Sequence, residues 1–257
     1  MFDCPDFLDL AERETKPRSR GLTHVLDKGL TTPALEALLN QASRFVDVLK
    51  IGWGIAYVDP TIKDRVALCN AAGVTVCLGG TLLEVCEAQG RVPELRDWAH
   101  EIGVNAIEVS NGLAGITPQR KRALVAELSQ DFVVLAETGV KDERVEADTE
   151  TWVEEMIADL AAGATLVIAE GRESGTVGLY ASDGRPKASL VDAIADRVPL
   201  DRVIFEAPAK AQQAWFVRRF GAGVGLGNVC TEEVLALETL RLGLRADTAD
   251  VKAAEPT

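Results

Sequence analysis

Positive charge is scarce in this sequence of 257 residues, where 27 Lys and Arg face 40 Asp and Glu for a formal net charge of -13. Phosphate backbones and anionic lipid surfaces reward clustered basic residues, so this balance excludes nucleic acid and membranes as bulk partners. Histidine is almost missing: His24 and His100 are the only two, the first in an apolar run that reads as core and the second in a helical run that reads as surface. The five cysteines, Cys4, Cys69, Cys77, Cys86 and Cys230, show no CxxC spacing. No zinc or iron–sulfur ligand set can be assembled from them, and an odd number in mostly apolar stretches fits a reducing compartment. No apolar run approaches the roughly 18 residues of a membrane span, and the N-terminus is acidic where a secretory signal is basic. The expectation is a soluble, cytoplasmic protein.

What the sequence does contain is alternation. Eight short runs rich in β-branched residues read as strands: Leu22 to Asp27, Val46 to Ile51, Val74 to Leu78, Asn105 to Val109, Phe132 to Glu137, Thr165 to Glu170, Arg202 to Glu206 and Gly223 to Gly227. Helical segments lie between them, with start signals at Thr32-Pro33, Asp59-Pro60 and Thr117-Pro118. Strand followed by helix, eight times in one domain-sized chain, predicts a single α/β domain, a (β/α)8 TIM-type barrel spanning residues 1–257. Residues 1–19 read as an N-terminal extension and 248–257 as a frayed tail. The glycine-rich connection from Gly171 to Lys187, GRESGTVGLYASDGRPK, has no period of its own and reads as a binding loop or lid.

Charged residues collect where the strands end. Asp27 and Lys28 close the first strand, Lys50 lies near the end of the second, and Glu108, Glu137, Glu170 and Glu206 close the fourth to seventh. In a parallel barrel these positions meet at the C-terminal mouth, where barrel active sites sit. Lys50 continues the face of Val46 and Val48, Glu137 that of Val133 and Leu135, and Glu206 that of Ile204. Carboxylates on core-facing rows are costly unless paired or metal-bound, so Asp27, Glu108, Glu137, Glu170 and Glu206 are candidate ligands of a hard divalent cation, with Mg²⁺ the natural choice. Lys28, Lys50, Lys141, Arg172 and Lys210 are the cations within reach of the mouth, a set that suits a small polyanion. The stretch GAGVGLGN, ending in Gly227 and Asn228, leads toward a helix at Thr231 and resembles a barrel phosphate site.

The segments RGLTHVLDKGL, VDVLKIGWG, GGTLLE, IEVSNG, AETGVKD, EGRESG, FEAPAKAQQ, LGN and LETLRLGLRADT occur in that order between Arg20 and Thr248. In them the chain resembles the phosphosulfolactate synthase family, (β/α)8 lyases that add sulfite to C3 of phosphoenolpyruvate on the route to coenzyme M. The resemblance implies Mg²⁺ on the substrate carboxylate, stabilising the enediolate that sulfite attack produces. It also implies Lys141 as the acid that protonates C2; Lys50 and Arg172, singled out by their places at strand ends, are the other catalytic candidates. Lys28, Lys50, Arg172, Lys210, Gly227 and Asn228 are the expected substrate contacts. The chain departs from the usual family residues at Ile55, Asn111, Val140 and Gly225. Addition of a different nucleophile, or water, to an enolpyruvate is therefore an alternative, and a non-catalytic, stress-related member a second one. The expected partners are a phosphoenolpyruvate-like small anion and further copies of the chain.

Overall fold

The computed structural model describes residues 7–113, 115–139, 148–171 and 174–250. Eight strands, β1 Thr23–Asp27, β2 Val48–Ile51, β3 Thr75–Leu78, β4 Ala106–Val109, β5 Val133–Thr138, β6 Leu166–Ala169, β7 Val203–Glu206 and β8 Gly225–Cys230, run parallel and close in sequence order into a barrel. Around them lie α1 Thr32–Ala42, α2 Ile55–Val58, α3 Ile62–Ala71, α4 Gly80–Ala88, α5 Val92–Ile102, α6 Pro118–Leu128, α7 Thr149–Ala162, α8 Ala188–Arg197, α9 Lys210–Phe220 and α10 Val234–Arg241. The predicted strands all form, most of them one or two residues shorter at the start.

Two of the three predicted helix starts shift slightly. Thr117 caps α6 by accepting from Arg120 N at 3.2 Å, as its Thr-Pro pair requires. The cap of α1 is Thr31 rather than Thr32. Asp59 instead accepts from Thr61 N at 2.8 Å and ends the short α2, so α3 begins at Ile62.

Alternation along each strand sorts the apolar residues into two bodies. Val48, Cys77, Ala106, Leu135, Leu166, Ile168 and Ile204 fill the barrel interior. The outward residues, such as Leu49, Val76, Ile107, Val134, Val167 and Phe205, pack against the helix ring. The interior is thus a packed plug, and only its C-terminal end is left for polar side chains.

The described residues near both ends of the chain are held to the barrel by side-chain contacts. Arg13 Nε donates to Glu238 Oε1 at 2.9 Å, Lys16 Nζ to the Val46 carbonyl at 2.6 Å, and Arg18 pairs with Asp47 at 3.2 Å. Residues 13–18 therefore strap the bottom of the barrel. Thr248 is fully buried and its hydroxyl donates to the Leu240 carbonyl at 2.8 Å, which ties the chain to α10 at that point. No described helix is long and apolar enough to cross a membrane.

Candidate active site

One step of two residues beyond the apolar interior gives the site. Val48 leads to Lys50, Ala106 to Glu108, Leu135 to Glu137, Ile168 to Glu170 and Ile204 to Glu206. All five charged side chains line one cavity of about 560 Å³ at the C-terminal mouth, together with Leu26 and Asn228.

The cluster is built around the Lys50 ammonium, which stands 2.9 Å from Glu108 Oε1, 3.3 Å from Glu206 Oε1 and 3.9 Å from Glu137 Oε2. The outer oxygens of two of these groups are fixed by backbone: Gly80 N donates to Glu108 Oε2 and Gly171 N to Glu206 Oε2, both at 2.9 Å. Burial lowers the Lys50 pKa, but the charges of Glu108, Glu206 and Glu137 outweigh it and hold the ammonium well above its usual range. Glu137 is pushed well above the usual carboxylate range by burial first, then by Glu170 and Glu108, against the opposing pull of Lys50. Among the described residues, the cavity lining holds four Glu side chains and one ammonium.

The carboxyl oxygens of Glu108, Glu137 and Glu206 lie within 4.8 Å of one another. Opposite ligands of Mg²⁺ are about 4.2 Å apart at roughly 2.1 Å per bond, so small side-chain shifts would close this group on such an ion. An all-oxygen, anionic donor set suits a hard divalent cation. The donor chemistry of these residues fits Mg²⁺, and in this structure the Lys50 ammonium holds the place among the three carboxyl groups.

Not every residue singled out in the sequence reaches this cavity. Asp27 does not: its side chain pairs with the buried Arg65, and its Oδ1 accepts from Gly29 N and Leu30 N, both at 2.8 Å. The physical reason is phase, because His24 and Leu26 are the inward residues of β1 and Asp27 is one step out. Lys28 is exposed just beyond β1, its charge acting on the Cys230 thiol. Lys210 opens α9 but its ammonium is spent on Asp247 at 2.9 Å. Gly227 lies in the barrel wall, where a Cβ would meet Ile204 Cγ2 at 2.7 Å. The second half of the stretch GAGVGLGN, Gly225 to Asn228, lies in strand β8, and the turn after the strand carries Glu232 and Glu233. Lys141, Arg172 and Val140 lie outside the described residues. Of the other departures from the family pattern, Ile55, Asn111 and Gly225 do not line the cavity.

Several contributors were missed in the sequence. Gly79, Gly80 and Thr81 begin α4 on the cavity wall, with Ser110 opposite them and Trp53 at the rim, 42% exposed and in a left-handed conformation with φ 49°. The GGTLLE and KIGWG segments carried the available signal. Glu84, buried on α4, takes the Ser110 hydroxyl and the Leu113 N–H, fixing the loop after β4.

The loop from Gly171 to Lys187 is also fixed in its described part. Leu179 N donates to the Glu170 carbonyl at 3.0 Å, the buried Tyr180 hydroxyl donates to the Glu206 carbonyl, and Gln212 Nε2 donates to the Gly175 and Gly184 carbonyls at 2.8 and 3.1 Å. It presents Ser174 and Thr176 to the cavity.

A closed parallel barrel with a charged cavity at its C-terminal mouth defines a (β/α)8 protein of the enzyme type. In fold it is similar to 3-hexulose-6-phosphate synthase, at 18% identity and a TM-score of 0.55 over 86% of this chain and 97% of that one. It is likewise similar to the HpcH/HpaI aldolase from Desulfitobacterium hafniense DCB-2, at 17% identity and a TM-score of 0.56 over 86% and 90% of the two chains. Sequence comparison is more specific. The family model for (2R)-phospho-3-sulfolactate synthase (ComA) matches residues 11–247. The phosphosulfolactate synthase of Bacillus subtilis is 36% identical over 94% of this chain and 97% of its own. Those of Methanothermobacter thermautotrophicus and Methanocaldococcus jannaschii are 38% and 39% identical, covering 95% and 89% of this chain and 96% and 94% of their own. The chain belongs to the phosphosulfolactate synthase family.

Proposed function

We propose that this protein is a carbon–sulfur lyase that adds sulfite to C3 of phosphoenolpyruvate to give phosphosulfolactate, with Mg²⁺ as its cofactor. The observation that carries this reading is the cluster of Glu108, Glu137 and Glu206 around Lys50 at the mouth of a barrel of this family.

The sulfur lone pair of sulfite forms the new bond to C3, the C2–C3 π electrons move to C2 and onto the carboxylate, and a proton is then added at C2. Glu108, Glu137 and Glu206, with Glu170 beside them, would hold Mg²⁺, which when bound supplies charge neutralisation at the substrate carboxylate. Lys50 keeps a second positive charge at the point where negative charge develops, in a site dry enough for it to count. The gripped loop with Ser174 and Thr176 offers hydroxyls to the anion and restricts water. The family resemblance assigns the C2 proton to Lys141, and the position of Arg172 in the sequence, at a strand end before a glycine-rich loop, suits an anion clamp.

Retention of buried charge at this depth speaks for catalysis over a non-catalytic role, since an unused carboxylate cluster only costs stability. Because Ile55, Asn111 and Gly225 stand off the cavity, those departures do not favour another nucleophile over sulfite. Phosphorus NMR of a reaction containing phosphoenolpyruvate, sulfite and Mg²⁺ tests the assignment: a new phosphate ester that also carries the sulfonate by mass is expected, and release of free phosphate alone would refute it.

A further inference from the structure

Outside the barrel, between α6 and α7, one lysine is buried as deeply as the apolar core. Lys121 on α6 has no exposed surface. Its Nζ donates to the Glu137 carbonyl at 2.6 Å and to Glu155 Oε1 at 2.6 Å, and it pairs with Asp159 Oδ2 at 2.7 Å. Glu155 and Asp159 stand one turn apart on α7 and so meet the lysine together. Oδ1 of the fully buried Asp159 has no hydrogen-bond partner among the described residues, so Lys121 is what keeps that carboxyl inside. Taking such a cluster out of water costs about as much as the attraction within it returns, so stability alone does not call for it.

The cluster grips the end of β5. Val133 N donates to the Asn105 carbonyl on the β4 side, while the Val134 and Thr138 carbonyls accept from Thr165 N and Glu170 N on the β6 side. Odd-numbered residues of β5 therefore bond toward β4 and even-numbered ones toward β6. The β4 ladder ends with Val109 opposite Ala136, so the Glu137 carbonyl lies past its last rung and takes Lys121 as donor instead. Glu137 is also the carboxylate that most depends on its backbone. Glu108 and Glu206 each have an outer oxygen fixed by a backbone N–H, whereas the Glu137 carboxyl has, among the described residues, only Lys50 at 3.9 Å. One residue on, the Thr138 carbonyl holds Glu170 N at 2.9 Å, so the same grip reaches the fourth carboxylate. Glu206 has a counterpart of this device in the buried Tyr180 hydroxyl, which donates to its own carbonyl.

We propose that Lys121 is a positioning residue: held behind β5 by Glu155 and Asp159, it fixes the Glu137 carbonyl and with it the direction from which Glu137 and Glu170 reach the cavity. That these two carboxylates serve a divalent cation rests on the proposed function.

Lys121→Met alone strands two carboxylates, so the main test is Lys121→Met/Asp159→Leu, which removes the two fully buried charges together and leaves the half-buried Glu155 to water. Exchanging a buried ion pair for apolar groups is often neutral or stabilising. The control is Lys16→Met, which takes a half-buried lysine off the Ser43 and Val46 carbonyls at the opposite end of the barrel. Amide exchange by NMR needs neither metal nor substrate: the Glu170 N–H should exchange roughly tenfold or more faster in the double variant and at the wild-type rate in the control. Calorimetry with Mg²⁺ alone should show affinity weakened about 10- to 100-fold in the double variant, the usual worth of a group that orients a metal ligand, and within roughly twofold of wild type in the control. Glu155→Gln is a milder change and should move both readouts in the same direction by roughly threefold, deciding the matter if the double variant does not fold. Unchanged exchange, faster exchange with unchanged Mg²⁺ affinity, or an equal loss of affinity in Lys16→Met would overturn the inference. Wild-type protein that binds no Mg²⁺ would refute the metal of the proposed function, and the Glu170 exchange rate would then decide the Lys121 assignment by itself.

Discussion

Lys50 and Glu108 meet inside the barrel, Nζ to Oε1 at 2.9 Å, reaching from β2 to β4 across the strand between them. The pair is the centre of the site, because the same ammonium also serves Glu206 and Glu137.

Replacing Lys50 by Met leaves buried carboxylates facing one another without a counter-charge. Loss of one partner of a buried pair costs about 3–5 kcal/mol, so a lowered Tm is expected at neutral pH. The pH dependence has a definite sign. Glu137 already titrates well above its usual range in the folded chain, so its contribution is full below the unfolded value of about 4.3 and is lost as pH rises toward the folded one. Lys50 opposes that shift, and removing it raises the Glu137 pKa further. The Tm deficit of Lys50→Met should therefore widen as pH rises through the folded-state pKa of Glu137 in the wild type, which lies well above the usual carboxylate range. A deficit of constant size would show that Lys50 does not carry the counter-charge.

Held as proposed, Mg²⁺ would compete with protons for Glu137, since only the ionised carboxylate is a ligand. Binding of Mg²⁺ should release protons, detected by calorimetry in buffers of different ionisation enthalpy, and its affinity should rise with pH. Excess chelator should abolish turnover, with recovery on adding Mg²⁺. Full turnover in chelator would remove the metal from the account.

Asp27 belongs to a structural pair with Arg65, itself buried and also paired with Asp59. Asp27→Asn should lower stability by about 3–5 kcal/mol, since it leaves a buried guanidinium short of its partner. Mg²⁺ affinity should stay at the wild-type level. A variant of normal Tm with weakened metal binding would place Asp27 in the cluster after all.

This residue shows how far the sequence could be read. Alternation singles out Lys50, Glu137 and Glu206, because each continues a clear apolar row in which Val48, Leu135 and Ile204 stand two residues before them, whereas Glu108 is marked by its place at a strand end. Asp27 ends a strand too, but fully buried β1 has apolar or neutral residues on both faces, so its phase was hidden; the inward row is His24 and Leu26. Lys210 begins a helix at the right end of the barrel, yet only tertiary packing reveals that Asp247, far along the chain, captures it. The shift in register between β1 and β8 beside Asn228, which lines the cavity, is a relation between the first and last strands that no local pattern records. The connection Gly171 to Lys187 has no period because its order comes from Tyr180, Leu179 and Gln212 rather than from a regular backbone ladder.

Gln212 is the latch of that loop. Its Oε1 accepts from Ala209 N at 3.1 Å while Nε2 holds two loop carbonyls. Gln212→Ala should free the segment carrying Ser174 and Thr176, seen as faster limited proteolysis between residues 174 and 187. Loss of hydrogen bonds worth roughly 1 kcal/mol each should lower Tm only modestly. KM for phosphoenolpyruvate should rise more than kcat falls, as expected when a binding wall is loosened. Unchanged proteolysis together with unchanged KM would deny the loop a part in binding.

The central claim is sulfite addition to an enolpyruvate at the Lys50 cluster. The most direct measurement follows the enol absorbance of phosphoenolpyruvate with purified protein and Mg²⁺, with and without sulfite, in wild type and Glu137→Gln. The account predicts loss of absorbance only when sulfite is present, and a fall of roughly 10²-fold or more in Glu137→Gln, the scale of a removed electrostatic contact at the reacting centre. Loss of absorbance that is indifferent to sulfite, or none under any condition, would contradict it.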